Sequence, residues 1–400
     1  MAALLKRVFL TIAIVILTGW LLRYSWQQRF IFYRNYTFTA KEAKILQSHP
    51  KVQYIHGIKA WLKNDLAEAV ACFRHAISQN PFHIDAWLKM AQAQAALGRS
   101  DKAKEILKFT NTLTIEVFRW KWKQMLLAHE LNMENIFLKN ANYLISKNKM
   151  VRNTFQLLDT HYSGDINRIA KNLRRDNLVP YLEWLIVWGR LNDTYIVWAE
   201  IAQNNMENQD ITLRYVHFLV ENKAIKKAQS IWNRNTGDNT IINGGFEEEI
   251  TLRGFDWRYW KNDNWEIKRV KSPVYTGSFA LKVAFSGKKN ISFYHLYQII
   301  PVEPNKPYLL TFRWKSRQIT TDQGPFMEVY GYDTEGLYSK GRMITGTNDW
   351  GTETVEFISP ENCHAVVVRL RRKPSKRFDC NIAGTIYLDN FKLNLLNKVH

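Results

Sequence analysis

The sequence predicts a multidomain α-then-β chain: an N-terminal transmembrane helix, an α-helical repeat solenoid and a C-terminal antiparallel β-sandwich. Three observations predict it. Val8 to Leu22 carries no charge. From about residue 50, apolar positions recur with a helical period and again at 34 residues, Gly57 returning as Ala91 and Ala69 as Ala103. Beyond the run 235–239 (NTGDN), short alternating segments broken by Gly, Pro and Asn take over. The boundaries this implies are an anchor over 1–26, a linker helix over 27–49, regular repeats over 50–112, degenerate helical repeats over 113–236 and a sandwich over 237–400.

The apolar segment reads VFLTIAIVILTGWLL and follows Lys6 and Arg7. A bilayer needs about 20 apolar residues. Leu4 and Leu5 extend the run, and the two cations can snorkel toward headgroups. Trp20, Tyr24 and Trp26 stand where an interfacial aromatic belt belongs. A cleaved signal peptide would share the basic start and apolar run, but Gly19-Trp20-Leu21-Leu22-Arg23 offers no small-residue cleavage site. An uncleaved anchor contacting the membrane through residues 4–22 is expected. Arg23, Arg29 and Arg34 follow the segment, so flanking charge barely sets orientation; the N-terminus is placed inside, with the bulk of the chain in the periplasm or outside.

An apolar fraction of 46% excludes a mainly disordered chain. Fifteen Trp suit large aromatic cores or stacking platforms. A formal charge of +20 implies anionic company, whether phospholipid, acidic polysaccharide or nucleic acid. The densest basic run, Arg369 to Arg377, reads as a solvated loop, although Arg369 and Arg371 project from one strand face. Cys72 falls at an inward helical position. Whether Cys363 and Cys380 pair is left open, because spacing does not fix their separation.

In the first repeat Gly57, Ala69, Phe73, Ala76 and Pro81 stand at the signature positions of tetratricopeptide repeats, and in the second Trp87, Ala91, Gly98 and Ala103 do. The segment resembles that family. The spacing is about packing: small residues let paired helices approach, Phe73 fills the groove, and Pro81 ends the second helix. Arg119–Leu131, Tyr181–Ile201 and Arg214–Trp232 continue the helical pattern. The resemblance implies a groove that recruits a protein partner, the alternative being a spacer.

In the C-terminal part, Phe279, Leu281, Val283 and Phe285 alternate with small or polar residues, as do Tyr308, Leu310, Phe312 and Trp314. The punctuation is Asn243-Gly244-Gly245-Phe246-Glu247 at the start, the run 297–308 (YQIIPVEPNKPY) in the middle, and Tyr387-Leu388-Asp389-Asn390-Phe391 at the close. In that order these segments resemble carbohydrate-binding modules of families 4, 9 and 22, within the galactose-binding-like jelly rolls. The resemblance implies glycan binding and a structural calcium held by Glu247 and Asp389. Stacking candidates are Trp257, Trp260, Tyr330 and Tyr332, with Arg369 and Arg371 available to acidic sugars. In the family a Trp soon after the opening motif packs inward, and Trp257 or Trp265 can fill that role.

Gly-rich phosphate loop, nucleophile-elbow and metal-protease motifs are absent from the sequence. Glu247-Glu248-Glu249 are adjacent and do not make the facing pair a glycosidase needs. The expectation is a non-enzymatic inner-membrane envelope protein, single-pass, that binds a protein partner and a polysaccharide or other glycan, in surface polysaccharide assembly or export. The alternative is a pure protein–protein scaffold whose jelly roll no longer binds sugar. Nucleic acid is the less favoured partner.

Overall fold

The computed structural model describes residues 2–33, 49–232, 241–378 and 380–396. The linker expected over 27–49 lies outside the described residues at 34–48, as does the boundary run 235–239. The described residues fall into two compact units, 1–187 with 193–204, and 188–192 with 205–400.

The first unit begins with helix α1 (Ala2–Tyr33), which runs past the expected anchor end at residue 26. Val8–Trp26 within it has a mean hydropathy of 1.8 and none of it is buried. By length and composition it is able to cross a membrane.

Antiparallel helical pairs follow. They are α2 (Pro50–Leu62) with α3 (Leu66–Gln79), α4 (Ile84–Ala96) with α5 (Ser100–Leu113), and α6 (Phe118–Glu130) with α7 (Glu134–Ser146). Then come α8 (Val151–His161), α9 (Ile166–Asn172), α10 (Leu178–Val187) and α11 (Leu191–Gln203). The caps are visible in the sequence: Asp65 accepts the Glu68 amide and Asp165 the Arg168 amide, and His49 and His83 cap α2 and α4 through ring nitrogens. Gly57 has the packing role its position predicts. A Cβ there would lie 2.5 Å from the Phe73 ring, which sits fully buried against Ala69, Ala76 and Ala86.

In the second unit, α12 (Gln209–Glu221) and α13 (Ile225–Ile231) form a hairpin ahead of ten strands. These are β1 (Arg258–Tyr259), β2 (Trp265–Val270), β3 (Ala280–Ser286), β4 (Phe293–Pro301), β5 (Pro307–Ile319), β6 (Phe326–Gly331), β7 (Tyr338–Lys340), β8 (Gly346–Ile358), β9 (Ala365–Arg372) and β10 (Ala383–Leu395). They make two five-stranded antiparallel sheets, ordered β1-β4-β9-β6-β7 and β2-β3-β10-β5-β8. The inner faces share one core that includes Phe246, Trp257, Trp265, Phe293, Phe312, Val368 and Phe391.

The opening and closing motifs of this domain meet. The Phe391 amide donates to the Gly244 carbonyl at 2.9 Å, and a Cβ on Gly244 would lie 2.3 Å from the Phe391 carbonyl oxygen. Only glycine fits so close an approach. Cys72, Cys363 and Cys380 are all free thiols.

The basic run is not the solvated loop expected. Arg369, Arg371 and Arg372 lie in β9, and the Arg372 side chain is fully buried. Its guanidinium donates to the carbonyls of Gln323 and Cys380 and to Asn290 Oδ1, so its burial is compensated by hydrogen bonds.

Candidate functional site

The outward face of the β1-β4-β9-β6-β7 sheet carries the chemistry. Strand register aligns one row of side chains across all five strands: Arg258 opposite Tyr297, Tyr297 opposite Arg369, Arg369 opposite Glu328, and Glu328 opposite Lys340. Tyr330 and Tyr338 form the neighbouring pair on the same face. Arg369 Nε donates to Glu328 Oε1 at 2.7 Å, and Tyr338 donates its hydroxyl to Glu328 Oε2 at 3.2 Å. The Arg369 guanidinium lies 4.6 Å from the centre of the Tyr330 ring and 5.9 Å from that of Tyr294; Arg371 lies 5.7 Å from Tyr294.

Trp260, just past β1, sets its ring edge-to-face with His295 at 5.3 Å and with Tyr297 at 6.0 Å. Trp260, Tyr294 and Tyr338 are exposed, while the Glu328 carboxylate between them is nearly buried. Burial raises the Tyr330 and Tyr338 phenols above their usual value, and the Glu328 carboxylate adds to both shifts. Burial also keeps the His295 ring below its usual value, with Arg371 adding to the effect. At neutral pH the face therefore offers neutral aromatic rings around a fixed carboxylate–guanidinium pair.

Of the sequence-predicted residues, Trp260, Tyr330, Arg369 and Arg371 share this face. Trp257 does not. Its side chain is completely buried, 5.4 Å from Phe246 and 4.9 Å from Phe391 between ring centres. A ring with no exposed face cannot stack on a sugar, so Trp257 is a core residue, and Trp265 is buried as well. Tyr332 stands beyond the end of β6, where its hydroxyl donates to the Val220 carbonyl of α12 at 3.0 Å. Burial pushes that phenol up to about 12.

Sequence reasoning missed Tyr294, Tyr297, Glu328 and Tyr338. Two-residue alternation would put Tyr294 and Tyr297, three residues apart, on opposite faces; a register shift between Phe293 and Leu296 breaks it and brings both to the outward face. Tyr338 sits in an edge strand of three residues, too short to show a period.

Glu247 and Asp389 meet the same loop ahead of β3. Asp389 Oδ2 accepts the amides of Tyr275 and Thr276 at 2.8 and 3.0 Å, and Glu247 Oε1 accepts those of Ser278 and Phe279 at 2.9 and 3.2 Å. Burial raises the Asp389 carboxyl while these amides oppose the shift. Calcium takes about six to eight oxygen ligands. Among the described residues no three His, Cys, Asp or Glu side chains converge on a cation position. Glu247 and Asp389 supply carboxylate oxygens there, and both already accept backbone amide hydrogens. They close the sandwich by hydrogen bonding.

Comparison with known proteins gives two kinds of likeness. Residues 60–108 match the family model for the tetratricopeptide repeat. A 52-residue stretch is 40% identical to an uncharacterized protein of Methanocaldococcus jannaschii, over 13% of this chain and 60% of the relative. The chain thus spans about 60% of the curated relative it matches.

Solved structures similar to this chain over about two fifths of its length include the enzymatically active domain of tailspike protein 4 of bacteriophage CBA120, at 15% identity, TM-score 0.31 and 22% of that chain. A family 16 carbohydrate-binding module is similar at 22% identity and TM-score 0.28, over 39% of this chain and 99% of that one. A family 61 module in complex with beta-1,4-galactotriose is similar at 18% and 0.29, over 40% and 100%. The two paired sheets define the sandwich, and within the helical region residues 60–108 match the tetratricopeptide-repeat model.

Proposed function

We propose that this chain is a non-enzymatic, membrane-anchored envelope protein whose repeats recruit a protein partner and whose sandwich binds glycan on the β1-β4-β9-β6-β7 face. The row from Arg258 to Lys340 carries the reading. Sugar rings present flat C–H faces and a rim of hydroxyls. Exposed Trp260, Tyr294 and Tyr338 supply stacking surfaces, and Glu328 with Arg369 supplies an acceptor and donors held in place by each other. Glu328 is paired with a guanidinium, so it serves as an acceptor and not as a general acid. The apolar stretch of α1 supports a membrane anchor; an inner membrane, with the remainder of the chain in the periplasm or outside, and surface polysaccharide assembly or export complete the proposed setting.

The test is a glycan array probed with the full chain in detergent micelles, beside Trp260→Ala and Tyr338→Ala. Binding that both substitutions weaken by tenfold or more supports the reading. Failure to bind any glycan sinks it and leaves the protein–protein scaffold.

A further inference from the structure

The two edges of the repeat solenoid differ in chemistry. Consecutive helices run antiparallel, so turns within a repeat (63–65, 97–99 and 131–133) lie on one edge and turns between repeats (80–83, 114–117 and 147–150) on the other. The first edge shows Lys63, Asn64, Asp65, Arg99 and Asn132 to solvent, with Leu62 an isolated exposed apolar residue beside it. The second edge shows Phe82, Ile115, Val117, Phe118 and Met150, from 41% to 76% exposed. Positions 82, 116 and 150 are spaced by the repeat length, so the turns line up along the edge; position 116 is the exposed Glu116, flanked by the exposed Ile115 and Val117. Lys147 and Lys149 stand exposed among them, and the Lys149 ammonium is 5.7 Å from the Phe118 ring centre.

The same edge receives the end of the apolar stretch of α1. Trp20, Arg23 and Tyr24 line a cavity of about 440 Å³ together with His49, Pro50, Gln79 and Asn80. Gln79 and Asn80 lead directly into the first of the apolar turns. The aromatic end of the apolar stretch therefore sits where the row of exposed apolar residues begins. Runs of exposed apolar side chains flanked by lysines suit the headgroup zone of an anionic bilayer, where rings and alkyl groups enter the acyl boundary and ammonium groups meet phosphate.

We propose that this edge lies on the surface of the bilayer that α1 spans. Phe82, Ile115, Val117, Phe118 and Met150 dip into the interface, and Lys147 and Lys149 meet anionic phospholipid headgroups. The proposal rests on the reading of α1 as an anchor.

The test uses the full chain in a Cys380→Ser background, since Cys72 and Cys363 are buried. Single cysteines at Phe82, Ile115 or Met150, and for comparison at Lys63 or Arg99, carry an environment-sensitive fluorophore. The protein is reconstituted in vesicles of phosphatidylglycerol and phosphatidylcholine containing a spin-labelled quencher lipid. The expected result is blue-shifted, lipid-quenched emission at 82, 115 and 150 and neither effect at 63 and 99. Equal behaviour on the two edges overturns the proposal, and so does a blue shift without lipid quenching, which would put a protein or a second copy on this edge. Lys147→Gln with Lys149→Gln lowers the docked-to-undocked ratio about fivefold per lysine on anionic vesicles, and an unchanged ratio overturns the headgroup contact. Carbonate washing of unlabelled membranes reports on α1 alone. Release there refutes the anchor, whereas retention with unquenched labels refutes only the edge.

Discussion

Two tryptophans three residues apart, Trp257 and Trp260, separate the roles of core and surface and give the sharpest test of the site. Trp257 is wholly buried among Phe246, Phe312 and Phe391, with the Phe312 and Phe391 rings stacked at 5.0 Å. Removing a buried Trp costs about 3–5 kcal/mol, because the transfer free energy is lost and the surrounding rings cannot collapse into the space. Among the described residues its indole N–H makes no hydrogen bond, so no polar contact there is lost with it. Trp257→Phe keeps most of the ring volume and removes a buried donor, and should cost no more than about 1.5 kcal/mol. Trp260 is 47% exposed and touches His295 and Tyr297 only edge-on. Trp260→Ala should therefore cost only about 1 kcal/mol while removing a stacking surface. Urea unfolding followed by near-ultraviolet circular dichroism measures the stabilities, and glycan binding measures the surface role. A Trp257→Ala protein within 1 kcal/mol of wild type, on the scale of the core penalty above, would refute the placement of that ring. A Trp260→Ala protein with unchanged binding to a glycan the wild type binds would refute the platform.

Three further outcomes are expected. Gly57→Ala drives a methyl to within 2.5 Å of the Phe73 ring, and overpacking there should cost about 1–3 kcal/mol in thermal melts. Asp389→Ala strands the amides of Tyr275 and Thr276 and should cost about 3 kcal/mol, while melting of the wild type should be the same in calcium and in chelator; a clear rise in melting temperature with calcium would show that a cation joins the clamp. His49 is buried and its pKa is lowered to about 4, from 6.5 in an unfolded chain. The neutral ring is the folded form, so its contribution is complete above pH 6.5 and is lost as pH falls toward 4. That loss amounts to about 2 kcal/mol at pH 5. His49→Gln should flatten the acid side of the stability curve, and an unchanged curve would refute this assignment.

The parts of the fold that sequence reasoning reaches are those where one residue type answers one local demand. Gly57 opposite Phe73 is of this kind, because no larger residue fits so close to the ring. The site is less legible, since it depends on which residues stand opposite one another across strands distant in sequence. Arg369 meets Tyr297 on one side and Glu328 on the other. No local pattern encodes that register, and the shift within β4 hides Tyr294 and Tyr297 from an alternation count. Trp257 was misread because a loop rich in Asn and Asp suggests exposure, whereas the chain turns back there. Its neighbour Asp256 spends its carboxylate on the Thr251 and Trp257 amides and the Thr251 hydroxyl.

The hairpin α12–α13 shows how burial of a sheet face limits the site. Ile299 and Val367 lie opposite each other on the outward side of their strands, yet both are buried. Their surroundings explain it. Arg258 pairs with Glu221 and Tyr332 bonds the Val220 carbonyl, both on α12, while Trp232 after α13 packs edge-on against Phe255 and close over Gly254. β9 records the consequence, its first four residues buried on both faces and its last four alternating. Among the described residues, the part of the face around Arg369 and Arg371 is the part left to solvent. A glycan bound as proposed would meet Trp260, Tyr294 and Tyr338 there, with the helical hairpin walling the site as much as the strands do.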